Sequence, residues 1–170
     1  MIDDILLALE PLAAVFEALG IEYRIGGSVA SSVLGVPRST IDIDLVADLR
    51  AEHVDALVRA LEATYYVDGP MIRDAIVHRD SFNLIHLATM MKIDVFVLKR
   101  RPFEESAFGR VASEPLGPGP EARAFPLTTA EDIVVHKLVW FRLGGGASKR
   151  QWEDLLGVPK LRGASLDMAY

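Results

Sequence analysis

Residues Ile41-Asp42-Ile43-Asp44-Leu45-Val46 alternate apolar and acidic side chains and close on an apolar pair. A period of two is a strand pattern, with successive side chains pointing to opposite faces. Ile41, Ile43 and Leu45 therefore pack into a core while Asp42 and Asp44 share the other face. Strand stability does not ask for this: aspartate is depleted in strands, and neighbouring like charges repel. A divalent cation removes the conflict, because Mg²⁺ favours one or two carboxylates together with substrate phosphate oxygens. A pair of such ions about 4 Å apart activates an attacking hydroxyl and stabilises the leaving oxygen. The competing explanation is an edge strand with a solvated acidic face.

Two further segments bear on that choice. In Lys92-Ile93-Asp94-Val95-Phe96-Val97 the residues Ile93, Val95 and Val97 form a buried face, leaving Lys92, Asp94 and Phe96 on the other. If this strand lies beside the first, three carboxylates converge; otherwise Asp94 caps a bend or pairs with Lys92. Gly26-Gly27-Ser28 falls between a short strand, 21–25, and a short helix, 29–34. Free backbone N–H groups and the positive end of a helix dipole attract phosphate there, and two glycines allow close backbone approach.

The remaining segments supply a frame. Ile5, Leu6, Leu9, Leu12, Val15, Phe16 and Leu19 form a helical stripe in which Pro11 predicts a kink or a later start. Val54, Leu57, Val58 and Leu61 mark an amphipathic helix, 65–67 a strand, and Asp68-Gly69-Pro70 a turn. Strands over 82–87 and 92–98 lie close enough to form a hairpin. From Lys99 to Pro126, which holds five of the nine prolines, an irregular connector is expected, with short strands at 110–113 and 123–127. Thr128 or Thr129 caps a helix running from Ala130 to Phe141. Gly144-Gly145-Gly146 breaks it, and another helix begins near Lys149. Trp140 and Trp152 are expected in the core or between helices, and His78, His86 and His136 lack the spacing of metal ligands. The fold class is α+β: a small mixed β-sheet with helices packed on one face, followed by a short C-terminal helical region.

Composition excludes several alternatives. A chain of 170 residues with 51 % hydrophobic and 25 % charged residues is globular rather than disordered. It contains no cysteine, which removes disulfide scaffolds, thiolate zinc sites, iron–sulfur clusters and cysteine nucleophiles. No apolar run reaches the roughly 18 residues of a membrane span, and no basic segment precedes the N-terminal apolar stretch, so a cytoplasmic location is expected. The net charge of −6 argues against a surface-wide grip on nucleic acid. Lys99-Arg100-Arg101 and Lys149-Arg150 are more simply solvated surface.

Taken in order, the glycine turn, the helix, the two-carboxylate strand and the later third carboxylate resemble the nucleotidyltransferase superfamily, the DNA polymerase β-like fold. The signature stands here as Gly26-Gly27-Ser28, thirteen residues (29–41), then Asp42-Ile43-Asp44. Arg38-Ser39-Thr40 ahead of the acids is similar to the AbiEii-like toxin branch and its uncharacterised relatives. The resemblance implies a catalytic core over 1–127 and a helical extension packed on it over 128–170. It implies that Asp42, Asp44 and Asp94 bind Mg²⁺ or Mn²⁺, with Asp94 as base toward the acceptor hydroxyl. Gly26, Gly27 and Ser28 would hold the phosphates of an NTP substrate. Arg38 or Lys137 would neutralise triphosphate charge, and Asp154, paired in the pattern with Arg150, would orient Lys137 or the nucleotide.

The implied reaction moves a nucleoside monophosphate to a hydroxyl of an RNA (such as tRNA), a protein or a small molecule. The toxin flavour adds an antitoxin as partner; a membrane is not among the partners. A nucleotide-binding module with weak chemistry and a metal-dependent phosphohydrolase are the alternatives from other classes.

Overall fold

A seven-stranded mixed sheet organises the chain in the computed structural model, which describes residues 2–34, 42–143, 152, 156–158 and 163–167. The elements in chain order are α1 (Ile2–Ala18), β1 (Tyr23–Ile25), α2 (Gly27–Leu34), β2 (Asp42–Ala47), α3 (Val54–Leu61), β3 (Tyr65–Tyr66), α4 (Gly69–His78), β4 (Ser81–His86), β5 (Lys92–Val97), α5 (Pro102–Gly109), β6 (Ala112–Pro115), β7 (Ala124–Leu127) and α6 (Ala130–Leu143). The strand order is β3-β4-β5-β2-β1-β7-β6. β2 runs parallel to β5 and β1 parallel to β7, while every other neighbouring pair is antiparallel. This is the expected α+β architecture.

The period-two alternation is realised in β2 and β5: Ile43, Leu45, Ile93 and Val95 are buried while the residues between them are only partly covered. Each such aliphatic side chain contributes roughly 1.5–3 kcal/mol when fully buried. Ile5, Leu9, Leu12 and Phe16 of α1 join the same core, together with Leu57 and Leu61 of α3 and Ile72 of α4. The Tyr65 hydroxyl donates to the Ala8 carbonyl at 2.8 Å and ties α1 to β3.

Local features depart from the sequence expectations for identifiable reasons. α1 is already helical ahead of Pro11. The apolar stripe holds its first turns, and Pro11 lies on the exposed side, where the Leu7 carbonyl it leaves without a helical partner can meet water. Asp68-Gly69-Pro70 is the start of α4: the Asp68 carboxylate accepts from the Met71 N–H at 2.8 Å, and proline occupies the first turn. The stretch expected to be irregular contains α5, which opens on Pro102 with Glu104 and Glu105 in its first turn. β6 and β7 form a hairpin at the sheet edge. Trp140 is 59 % exposed rather than in the core, and Trp152 stands against Phe141 with ring centroids 5.3 Å apart. The Gly144-Gly145-Gly146 break and the start of the helix expected from Lys149 lie outside the described residues. Among the described residues no helix is long and apolar enough to cross a membrane.

Candidate active site: the acidic row and the glycine turn

The parallel register of β2 and β5 sets Asp44 directly beside Asp94, and Asp42 beside Lys92. Strands so paired are about 4.8 Å apart, so side chains remote in sequence become lateral neighbours on the face away from Ile43 and Ile93. The Lys92 Nζ lies 2.8 Å from Asp94 Oδ2 and 3.9 Å from Asp42 Oδ1. The hydrogen bond to Asp94 pushes the Lys92 ammonium above its ordinary pKa, and the charges of Asp94, Asp42 and Asp44 add to this. Asp44 moves in the acid-weakening direction. Burial is the main cause, the Ser28 backbone N–H opposes it, the charges of Asp94 and Asp42 reinforce it, and Lys137 counteracts it.

The glycine turn is fastened to the same aspartate. The Gly26 N–H donates to the Asp44 carbonyl at 2.9 Å, and the Ser28 N–H reaches the Asp44 carboxylate. Gly27 has φ +54, and a Cβ there would overlap the Asp44 carboxylate and stand 2.7 Å from Asp44 Cβ. Only glycine admits that approach at that backbone conformation. Ser31 donates to the Gly27 carbonyl at 2.6 Å, steadying the first turn of α2. The turn thus presents the N-terminus of α2 beside the acidic row, although the Ser28 amide is engaged by Asp44 rather than directed outward.

Lys137, on α6, is near enough for its charge to act on Asp44. Arg38, Arg150 and Asp154 lie outside the described residues. Three participants in the surroundings were not assigned to the site from the sequence. Asn83 on β4 pairs with Asp94 and so belongs to the same transverse row. Arg24 on β1 pairs with Val46, which places it on the acidic face; its guanidinium lies 4.5 Å over the Phe108 ring, and its Nε is enclosed without a hydrogen-bond partner among the described residues. Thr128 is buried and donates its N–H to the Ile25 carbonyl at 2.9 Å, behind the glycine turn. Each depends on strand order, which local periodicity does not carry.

The fit to a divalent cation rests on the donor set. Among the described residues no three His, Cys, Asp or Glu side chains already stand in a geometry that encloses an ion. The row nevertheless consists of hard carboxylate oxygens, the ligands Mg²⁺ and Mn²⁺ prefer, and it already gathers one cation, the Lys92 ammonium, from two strands. Asp42, Asp44 and Asp94 thus offer the oxygen donors such an ion takes, without the geometry that encloses one.

The sheet and its helices match the fold of solved nucleotidyltransferase structures. The antibiotic-resistance factor ANT(2'')-Ia superposes with a TM-score of 0.61 at 14 % identity, over 97 % of this chain and 88 % of its own. The lincosamide antibiotic adenylyltransferase LnuA, in its lincomycin-bound crystal structure, gives 0.53 at 15 %, over 94 % and 96 %. An antigenic nucleotidyltransferase-like protein from Paracoccidioides brasiliensis gives 0.60 at 16 %, over 93 % and 76 %. No protein-family model matches the sequence, and no curated protein is significantly similar to it.

Proposed function

We propose that the chain is a metal-dependent nucleotidyltransferase that moves a nucleoside monophosphate from an NTP to a hydroxyl of a small-molecule acceptor. The observation that carries this reading is the register that sets Asp44 beside Asp94, with Gly27 too close to Asp44 for any side chain. The triphosphate binds at the Gly26-Gly27-Ser28 turn, where the positive end of the α2 dipole favours anions. Asp94 takes the proton of the acceptor hydroxyl, whose oxygen forms a bond to the α-phosphorus as the bond to the bridging oxygen breaks and pyrophosphate leaves. Asp42 and Asp44 with Asp94 hold Mg²⁺ or Mn²⁺, which when bound supplies charge stabilisation at the phosphates. Lys137 offsets charge on the departing pyrophosphate.

A small-molecule acceptor is supported by the net charge of −6, which disfavours a polyanionic one. It is also supported by the fold neighbours, which include an adenylyltransferase bound to lincomycin and ANT(2'')-Ia with adenylyl-2''-tobramycin. A second reading, RNA modification by a toxin held by an antitoxin, rests on Arg38-Ser39-Thr40 ahead of the acids. Incubation with Mg²⁺, each NTP and a panel of aminoglycosides, lincosamides and other polyols, followed by mass spectrometry, tests the proposal. A product heavier by one nucleoside monophosphate residue, absent with Asp44→Asn, is expected. Labelling of RNA alone would favour the second reading, and free NMP or phosphate without acceptor would indicate hydrolysis.

A further inference from the structure

Lys92 has no part in the transfer chemistry outlined above, yet it sits inside the acidic row. It precedes Asp94 by two residues on β5, so both side chains share a face. The register sets it laterally against Asp42 on β2. Its ammonium makes a 2.8 Å contact with Asp94 and stands 3.9 Å from Asp42, touching carboxylates from two strands at once. A lysine held by its own strand register cannot leave the row as a mobile counter-ion would. It is partly solvated, with its side chain 43 % exposed, so the ammonium can swing outward into water at small cost.

We propose that Lys92 is a built-in counter-cation of the acidic row, holding Asp94 and Asp42 in the absence of a divalent ion and competing with that ion for them. The inference rests on the nucleotidyltransferase reading and adds how tightly the site takes its metal. Without Lys92, the row loses the positive charge held between Asp94 and Asp42, while Lys137 still acts on Asp44. With it, the metal-free sheet is stabilised, and an incoming cation must displace the ammonium from Asp94. Divalent affinity is thereby held down, so that ion and nucleotide bind best together, the triphosphate bringing further oxygen ligands.

The test is a Mn²⁺ titration of the full chain without nucleotide, following free Mn²⁺ by electron paramagnetic resonance, for the wild type, Lys92→Met, Lys92→Gln and Lys92→Arg. Lys92→Gln keeps a hydrogen-bond donor near Asp94 and serves if the methionine variant folds poorly. Both neutral variants are expected to bind Mn²⁺ about tenfold more tightly, since a unit charge within 4 Å is removed, and Lys92→Arg to bind like the wild type. The neutral variants should also melt lower than the wild type without metal and gain more from saturating Mn²⁺. Mn²⁺ binding of the neutral variants equal to or weaker than that of the wild type overturns the inference and leaves the nucleotidyltransferase reading intact. Absence of Mn²⁺ binding in every protein overturns the inference, and absence in every protein with NTP present as well overturns the nucleotidyltransferase reading.

Discussion

Among the described residues, the carboxylate of Asp132 and the carboxylates of the row on β2 and β5 are treated in opposite ways. At the corner where β7 meets α6, Asp132 is fully buried and fully engaged. Arg110 grips it with two nitrogens, at 2.7 and 3.1 Å, and the Thr129 hydroxyl donates to it at 2.7 Å. Arg110 is itself steadied by the Ser106 hydroxyl at 2.6 Å. On the sheet face, by contrast, Asp42 and Asp94 share the Lys92 ammonium, and Asp44 is weakened as an acid by burial and by its acidic neighbours. A carboxylate that only joins elements is surrounded by its own donors. The row on β2 and β5 still attracts positive charge, as the proposed cation and polyphosphate site requires.

The sharpest way to break this contrast is to remove a donor from the closed corner. Arg110→Ala leaves a buried carboxylate without its guanidinium and should cost about 3 kcal/mol in denaturant unfolding, with NTP turnover per folded molecule preserved. A loss under about 1 kcal/mol would show that the corner is not the clasp its geometry describes. Next in size, Asp44→Asn should lower transfer about 10²–10³-fold while leaving the melting temperature unchanged or higher, because it removes a buried charge facing like charges. Simultaneous loss of activity and stability would place Asp44 with the structural acids. Gly27→Ala should destabilise by about 1–2 kcal/mol for the left-handed backbone alone and should abolish the thermal shift given by NTP with Mg²⁺. Gly26→Ala, whose Cβ meets nothing nearer than Thr128 Oγ1 at 3.7 Å, should cost less.

The smallest effect is in the pH profile. The folded-state pKa of Asp44 is raised above its ordinary 3.8. Its stabilising contribution is therefore complete below 3.8 and is lost as pH rises through the raised value. The stability difference in favour of Asp44→Asn should accordingly grow from pH 3.8 upward, and urea unfolding of both proteins across pH 3.5–7 measures it. A constant difference would mean that Asp44 titrates normally.

The parts of this arrangement legible in the sequence are those with a short period. The alternation in 41–46 and 92–97 announces two half-buried strands with acids on one face, and the same-face placement of Lys92 follows from it. Gly26-Gly27-Ser28 announces a turn at a helix start. The order of strands is another matter: that β5 lies next to β2, rather than pairing only with β4, depends on packing between distant segments. For that reason Asn83 and Arg24 could not be placed on the acidic face beforehand. Proline misleads in both directions here. Pro70 and Pro102 open helices that local composition presents as a turn and a connector, while Pro11 sits within a helix held by Ile5, Leu9 and Leu12. The exposure of Trp140 shows that an apolar side chain at helical spacing does not by itself define the buried face.

The central claim is tested most directly by a crystal structure of the chain soaked with Mn²⁺ and a non-hydrolysable NTP analogue, using anomalous scattering to locate the metal. The account predicts Mn²⁺ coordinated by Asp42, Asp44 and Asp94, triphosphate oxygens against Gly26–Ser28, and the Lys92 ammonium withdrawn from Asp94. Nucleotide bound elsewhere, or manganese absent from the row with Lys92 still on Asp94, would contradict it.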